Sequence, residues 1–182
     1  MSMSCEGEKQ EPWSLEALRR EADEFLQTCY GLELHIPILV NRRLKRVLGR
    51  FALKGGRPFA IELSADLLQY QERHVIVDVL KHECIHYACY MLGKPYRDGA
   101  PDFERELMRH GVAKTGTYAY KGKQHLFQCV ECKNVYLRHR KYATDVHGLV
   151  KMRRCGQCHG RLRYIGYGTY GSGVHEGDAH LK

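Results

Sequence analysis

The chain has 182 residues, a mass of 21.1 kDa and a formal net charge of +8, with 43% hydrophobic and 27% charged side chains. This balance excludes a disordered chain and a membrane-embedded one, because its apolar runs are too short to span a bilayer. The first eight residues lack the basic and then apolar profile of a secretory signal, so we expect a cytoplasmic protein without a membrane partner.

The basic excess is confined to one end of the chain. Residues 1–120 carry 17 basic and 17 acidic side chains, whereas residues 121–182 carry 12 basic and 4 acidic ones. A neutral first part and a basic second part predict two modules with different partners. The expected division is a loose tail (1–12), an α+β domain (13–113), a linker (114–124), a small β module (125–165) and a Gly-rich tail (166–182).

Capping residues and apolar periodicity predict how the first domain begins. Ser14 is placed as the N-cap of a helix with one apolar face, and Gly31 is placed as the left-handed residue that ends it. Residues 32–40 then have the composition of a strand. Pro37 favours an edge or a bulge for that strand, because proline donates no hydrogen bond.

The rest of the first domain is predicted as a hairpin and three helices. Two β-prone stretches over residues 51–64 are joined by adjacent glycines, and a short helix follows at 65–71. The strongest helical pattern covers 74–92 and ends at Gly93, and an amphipathic helix covers 102–110. Helices packed on a small sheet give an α+β fold.

An HExxH motif, His82 to His86, lies in the middle of the strongest helix. At a spacing of i, i+4 both imidazoles lie on one face and can reach one metal ion. Glu83 flanks that face, where it can accept a proton from a water molecule at the metal without being a ligand. Cys84 fits a small core residue that faces away from the metal better than it fits a nucleophile or a ligand.

A catalytic zinc site usually has three protein ligands, so a third must come from downstream. The candidates that follow Gly93 are Asp98, Asp102, Glu104, Glu106 and His110. Asp98 fits well, because it lies in a turn where the chain can return across the helix end. The alternative for Asp98 is a solvated turn residue.

Two CxxC motifs, Cys129–Cys132 and Cys155–Cys158, are separated by 22 residues. Each presents two thiolates from one tight turn, and together they complete a tetrahedral shell for a structural zinc ion. A disulfide is disfavoured in a reducing cytosol. β-prone stretches at 134–137 and 148–152 predict a hairpin that carries the second motif, and the four cysteines predict a zinc ribbon.

The basic excess surrounds these cysteines, interleaved with three tyrosines. Basic side chains attract phosphates, and aromatic rings can stack on unpaired bases, so contact with DNA or RNA is expected. The alternative is a solvated β surface whose tyrosines cover a small core. The expected nucleic-acid contacts are Arg138, Arg140, Lys141, Lys151, Arg153 and Arg154, with Tyr136, Tyr142 and Tyr164 beside them.

The order of these features resembles the SprT-like family, which includes the Spartan proteases that act on proteins crosslinked to DNA. The resemblance covers residues 14–165, and the motif His82 to Tyr87 followed by Gly93 to Tyr96 is similar to bacterial members. It implies a zincin-type metallopeptidase fold, with His82 and His86 as zinc ligands and Glu83 as catalytic base.

The sequence departs from the family pattern at one position. Many members carry a third zinc-binding histidine a few residues before a phenylalanine that corresponds to Phe103, and here Asp98 takes the place of that histidine. Because aspartate can ligate zinc, the resemblance implies a site of His82, His86 and Asp98. A degenerate, weakly metallated site is the alternative.

Two classes of function follow. The first is a zinc metallopeptidase that acts on proteins associated with nucleic acid, with one catalytic and one structural Zn²⁺. The second is a non-catalytic adaptor that associates with nucleic acid and uses the zincin core as a scaffold. A peptidase that acts on a free cytosolic protein is a third possibility.

Overall fold

The computed structural model describes residues 14–114 and 116–169, which divide into two units between Ala119 and Tyr120. Among these residues the helices all belong to the first unit and strands occur in both, which makes the chain a mixed α+β protein. Within the described residues, no helix is both long and apolar enough to cross a membrane. The division falls inside the stretch 114–124 that the sequence suggests as a linker.

The described part of the first unit contains four helices and a three-stranded mixed sheet. In chain order its elements are α1 (Leu15–Tyr30), β1 (Ile38–Asn41), β2 (Gly49–Lys54), β3 (Arg57–Ser64), α2 (Ala65–Tyr70), α3 (Arg73–Met91) and α4 (Pro101–His110). The strand order is β1-β3-β2, with β1 parallel and β2 antiparallel to β3. β1, the strand after Pro37, is an edge strand as predicted.

Local signals placed the helices and the hairpin correctly. The Ser14 hydroxyl accepts a hydrogen bond from the backbone N–H of Ala17 at 3.0 Å, and Gly31 ends α1 with a φ of 64°. The predicted hairpin is formed by β2 and β3, joined by two glycines with positive φ. The helices predicted at 65–71, 74–92 and 102–110 are confirmed as α2, α3 and α4.

The predicted strand at 32–40 is wrong over its first two thirds, because β1 begins only at Ile38. The extended chain before it is held by side chains instead of by a neighbouring strand. The guanidinium of Arg19 donates to the carbonyl oxygens of Leu34 and Ile36, and the hydroxyl of Tyr87 donates to the carbonyl of Glu33 at 3.0 Å. These carbonyls therefore have partners without a sheet.

Helix α3 is the centre of the first unit. It packs against α1, α4 and strands β2 and β3, so it is covered on several sides. Every residue from His82 to Cys89 is buried. A helix in this position cannot be amphipathic, which explains why polar side chains on it, such as those of the HExxH motif, are enclosed by protein.

The second unit is a four-stranded antiparallel sheet. Its strands are β4 (Gln124–Cys129), β5 (Val135–Arg138), β6 (Leu149–Arg154) and β7 (Arg161–Gly168), in the order β5-β4-β7-β6. One CxxC motif begins at Cys129, the last residue of β4, and continues into the turn before β5, and the other lies between β6 and β7. The β-prone stretches 134–137 and 148–152 do not pair with each other, since each joins a different hairpin.

The predicted tails are only partly within the described residues. β7 continues to Gly168, so the expectation of a tail from residue 166 is wrong for its first three residues, which pair with β4. Residues 1–12 and 170–182, the remainder of the two predicted tails, lie outside the described residues.

Candidate metal centres

Helix α3 places His82 and His86 one turn apart, with their ring centroids separated by 4.9 Å. Both are buried, with 6% and 8% of their surface exposed. The Nε2 atoms of His82 and His86 lie 3.3 and 3.6 Å from Oδ1 of Asp98, which comes from the turn between α3 and α4. The structure therefore brings together the three side chains of the predicted catalytic zinc site.

Each histidine is oriented by a backbone carbonyl on its other ring nitrogen. Nδ1 of His82 donates to the carbonyl oxygen of Ala113 at 2.9 Å, and Nδ1 of His86 donates to that of Tyr96. A carbonyl oxygen can only accept, so each Nδ1 carries the hydrogen and the neutral ring keeps a lone pair on Nε2. Both lone pairs thus point toward the Asp98 carboxylate.

This donor set fits a metal ion. In the neutral Nδ1–H tautomer, two nitrogen lone pairs and a carboxylate oxygen converge on one point, and burial lowers the pKa of His86, which disfavours a protonated ring there. Zinc–ligand distances of ~2.0–2.1 Å separate tetrahedral donors by about 3.3 Å, close to the observed 3.3 and 3.6 Å. A cation is the group that this arrangement accommodates.

The other candidates for the third ligand are engaged elsewhere. Asp102 pairs with Arg105, Glu104 pairs with Lys114, and Glu106 accepts a hydrogen bond from Tyr30. Nε2 of His110 lies 3.5 Å from Glu106 and makes no hydrogen bond within the described residues. Within the described residues, Asp98 is the one carboxylate that joins the two histidines in a group able to hold a metal ion.

Glu83 is enclosed between α3 and the start of β2. Only 5% of its surface is exposed, and a Cβ atom built on Gly49 would lie 2.7 Å from its Oε1 atom. Glycine is therefore needed at position 49 for the strand to approach the helix so closely. Burial raises the pKa of Glu83 to about 8, a backbone hydrogen bond from Phe51 opposes the shift, and the charge of Asp98 adds to it.

Phe103 on α4 covers the histidine pair, which the sequence did not reveal. Its ring stacks on His86 at 4.0 Å with an interplanar angle of 11° and meets His82 edge-on at 5.3 Å. It is fully buried. The apolar face of the amphipathic α4 was the available signal, but a helical pattern does not show which neighbour it covers.

Cys84 points away from the histidines into the larger hydrophobic core. It is fully buried among residues of α1, α3 and the sheet, and burial raises the pKa of its thiol. A protonated, buried thiol is neither a nucleophile nor a ligand, which agrees with the core role expected from the sequence.

The four cysteines of the second unit form the other group able to hold a metal ion. Their Sγ atoms lie within 4.8 Å of one another, with Cys129–Cys158 at 3.4 Å and Cys132–Cys155 at 3.5 Å. A tetrahedral zinc–thiolate shell has sulfur separations of about 3.8 Å. The cluster is thus compatible with a zinc ribbon.

The surroundings of the four thiols differ. Cys129 and Cys155 are buried, whereas Cys132 and Cys158 are exposed. The hydroxyl of Tyr136 lies 3.0 Å from Sγ of Cys155, and this hydrogen bond lowers the pKa of Cys155 to about 6. Burial raises the pKa of Cys129 to about 12, so metal binding must displace a proton from this thiol.

The six predicted nucleic-acid contacts are all exposed, and none forms an ion pair within the described residues. The tyrosines beside them pack inward: the rings of Tyr142 and Tyr164 lie 4.9 and 5.3 Å from Phe127 in the small core. Lys141 lies over the ring of Tyr164 at 4.4 Å. These rings thus fill and cover the core, as in the alternative drawn from the sequence, while the charges face outward.

Comparison with known proteins assigns the family. The sequence model of the SprT-like family matches residues 15–120, which include α1 to α4 and all three side chains of the histidine centre. The chain belongs to the SprT-like family. The resemblance drawn from the motifs is therefore confirmed.

Three SprT-like relatives show how far the similarity extends. Protein SprT-like of Streptococcus mutans serotype c (strain ATCC 700610 / UA159) is 30% identical over 136 residues, which cover 74% of this chain and 88% of that protein. Protein SprT-like of Anoxybacillus flavithermus is 33% identical over 129 residues, 69% of this chain and 79% of that protein. The relative from Bacillus subtilis is 26% identical over 152 residues, 81% and 95% of the two chains.

Proposed function

We propose that this SprT-like chain is a zinc-dependent metallopeptidase of the zincin type, with a zinc ribbon that contacts nucleic acid. The convergence of His82, His86 and Asp98 beside the buried Glu83 carries the proposal. Placement of HExxH on a helix that packs against a mixed sheet also supports a zincin core. Membership of the SprT-like family is consistent with this chemistry.

In this proposal, different residues would bind the metal ion and transfer the proton. His82, His86 and Asp98 would hold Zn²⁺, and the hydrogen bonds from Nδ1 of the two histidines to backbone carbonyls orient the imidazoles for metal binding. Bound zinc supplies Lewis acidity, which lowers the pKa of water and polarises a peptide carbonyl. Glu83 would take the proton from the attacking water on a carboxylate oxygen and later deliver it to the nitrogen of the leaving amine.

The pKa of Glu83 suits this role only beside a cation. A carboxyl group with a pKa of about 8 is mostly protonated at neutral pH and cannot act as a base. A divalent cation among the three donors favours the carboxylate and lowers that pKa toward the working pH. Burial and the cation thus shift the pKa of Glu83 in opposite directions, and the cation favours the carboxylate form that can accept a proton.

The substrate part of the proposal depends on charge. The whole net charge of +8 is carried by residues 121–182, and six exposed basic side chains there lack carboxylate partners within the described residues. Such a surface binds phosphates without reading sequence. The second unit would therefore bring the peptidase to proteins on DNA or RNA.

Metal analysis combined with a Glu83→Gln variant tests the peptidase proposal. The wild-type protein is expected to hold two zinc ions per chain and to degrade a DNA-binding protein in the presence of DNA. Glu83→Gln should keep both ions and lose at least about a hundredfold in rate. Glu33→Gln, which changes an exposed glutamate in the same way, is the matched control and should keep full activity.

The rival functions predict other results. A non-catalytic adaptor would hold one zinc ion, which would be lost when a ribbon cysteine is changed. Its Glu83→Gln variant and the wild type would degrade the DNA-binding protein at the same rate. A peptidase for free proteins would cleave at a rate that DNA does not change.

A further inference from the structure

Asp78 lies on α3 one turn before His82, on the same face of the helix. Its Oδ2 atom accepts two hydrogen bonds from the chain that follows α4. One comes from the backbone N–H of Ala113 at 3.1 Å, and the other comes from the hydroxyl of Tyr118 at 2.9 Å. Asp78 therefore fastens this chain segment to α3.

Ala113 is also the residue whose carbonyl accepts from Nδ1 of His82, at 2.9 Å. Both backbone groups of Ala113 are thus hydrogen-bonded to α3. Its N–H donates to Asp78, and its C=O accepts from His82, which lies one turn later on the helix. Ala113 belongs to neither a helix nor a strand, so no ladder of backbone hydrogen bonds holds it. A neighbouring support is the ion pair of the exposed Lys114 with the half-buried Glu104.

We propose that Asp78 is a positioning residue that orients His82 through Ala113 and so determines metal affinity at the His82–His86–Asp98 centre. The inference rests on the proposed metal centre. Without Asp78, the Ala113 carbonyl moves away from His82, and the hydrogen on Nδ1 loses its fixed acceptor. The ring then rotates, or its hydrogen moves to Nε2, and either change removes the lone pair that faces the metal.

His86 provides an internal comparison. Its Nδ1 donates to the carbonyl of Tyr96, in the turn after α3, whereas the hydrogen bonds of Asp78 go to Ala113 and Tyr118. Loss of Asp78 should therefore loosen one imidazole and leave the other in place. The expected result is weaker metal binding, not a complete loss of the centre.

Cobalt(II) titration of the full-length protein tests the proposal, because the two sites have different spectra. Four thiolates give intense sulfur-to-cobalt charge-transfer bands, whereas a nitrogen and oxygen site gives only weak d–d bands. Asp78→Ala is expected to weaken cobalt binding at the histidine centre by about tenfold or more, with the thiolate site unchanged. Asp78→Asn, whose amide oxygen can accept the same two hydrogen bonds, should recover most of that loss.

Two tyrosine variants provide matched controls. Tyr118→Phe removes one hydrogen bond to Asp78 and should weaken cobalt binding about threefold. Tyr30→Phe removes a hydrogen bond of the same kind, from Tyr30 to Glu106 at 3.1 Å, which has no link to the ligands. It should bind cobalt as the wild type does. In ¹⁵N spectra of the imidazoles, His82 should lose its single Nδ1–H tautomer in Asp78→Ala while His86 keeps it.

The outcomes separate this inference from the proposed function. Asp78→Ala with wild-type cobalt affinity and an unchanged His82 tautomer would overturn the role of Asp78 alone. A wild-type protein that binds cobalt only at the thiolate site would overturn the metal centre and the role of Asp78 together. If Asp78→Ala does not fold, equal affinities in Tyr118→Phe and Tyr30→Phe would overturn the inference.

Discussion

The two candidate metal centres lie in units with very different hydrophobic cores. The first unit buries sixteen residues in one hydrophobic cluster and five in another, and neither cluster contains a metal ligand. The second unit buries five residues in its cluster, and two of these are Cys129 and Cys155. A metal ion bound in the first unit would therefore be added to a unit that has its own hydrophobic core, whereas one bound in the second unit would complete a small core that includes two of its ligands.

The largest effect expected from this comparison is the selective unfolding of the second unit. Structural zinc contributes about 10–16 kcal/mol to small zinc domains, more than so small a core can replace. Chelation, or Cys155→Ser, should collapse the amide dispersion of residues 124–168 in ¹H–¹⁵N spectra. Cys29→Ser, which changes a half-buried cysteine outside both centres, should leave both units folded.

Two results would contradict the comparison. If the second unit keeps its dispersed resonances without metal, its fold does not depend on the four cysteines. If the first unit unfolds on chelation as well, its core is not sufficient by itself.

A second prediction concerns the packing above the histidines. Phe103 is fully buried and stacked on His86, so Phe103→Ala should lower the free energy of unfolding of the first unit by about 3–5 kcal/mol. Phe103→Leu fills most of the space and should cost less than about 1.5 kcal/mol. Urea unfolding followed by the near-ultraviolet circular dichroism of the tyrosines measures both. Equal losses in the two variants would show that the ring does not pack as described.

The sequence predicted those features of the first unit that depend on local signals. The caps Ser14 and Gly31 fixed α1, and the i, i+4 spacing of His82 and His86 placed both imidazoles on one face. The strand expected at 32–40 failed because a distant guanidinium, that of Arg19, takes the carbonyls that a sheet would need. No pattern within residues 32–40 contains that information.

The supporting residues of the centre could not be predicted for the same reason. Gly49, Asp78 and Phe103 reach the motif from another strand, another turn of the helix and another helix. Their roles depend on tertiary contacts, and a single sequence shows only neighbours along the chain. Asp98 could be proposed from the sequence because it follows α3 closely, in the turn after the end of that helix.

A third prediction uses the pKa of Glu83 in the first unit. Because this pKa is raised to about 8 from an unfolded value of 4.5, the folded state holds a proton that the unfolded state releases. The metal-free first unit should therefore lose stability as the pH rises from about 5 to 8, by about 1 kcal/mol per pH unit. Zinc should remove this loss, because it favours the charged carboxylate.

Glu83→Gln isolates the effect. His86, whose pKa is lowered by burial, acts in the opposite direction and destabilises the fold as the pH falls below about 6.5. The difference between wild type and variant in urea unfolding at pH 5, 6, 7 and 8 cancels that contribution. A difference that does not change with pH would show that Glu83 is ionised in the metal-free fold.

The smallest expected effect concerns the surface of the second unit and where nucleic acid binds. Arg153→Ala combined with Arg154→Ala should lower the slope of log affinity against log salt by about 2, with zinc content unchanged. Arg42→Ala with Arg43→Ala makes the same change in net charge on exposed residues of the first unit. If nucleic acid binds only to the second unit, the double variant of Arg42 and Arg43 should have the same slope of log affinity against log salt as the wild type. An equal decrease of the slope in the two double variants would mean that nucleic-acid binding depends on the net charge of the whole chain. A zinc ion in the second unit would then contribute to stability and not to nucleic-acid binding.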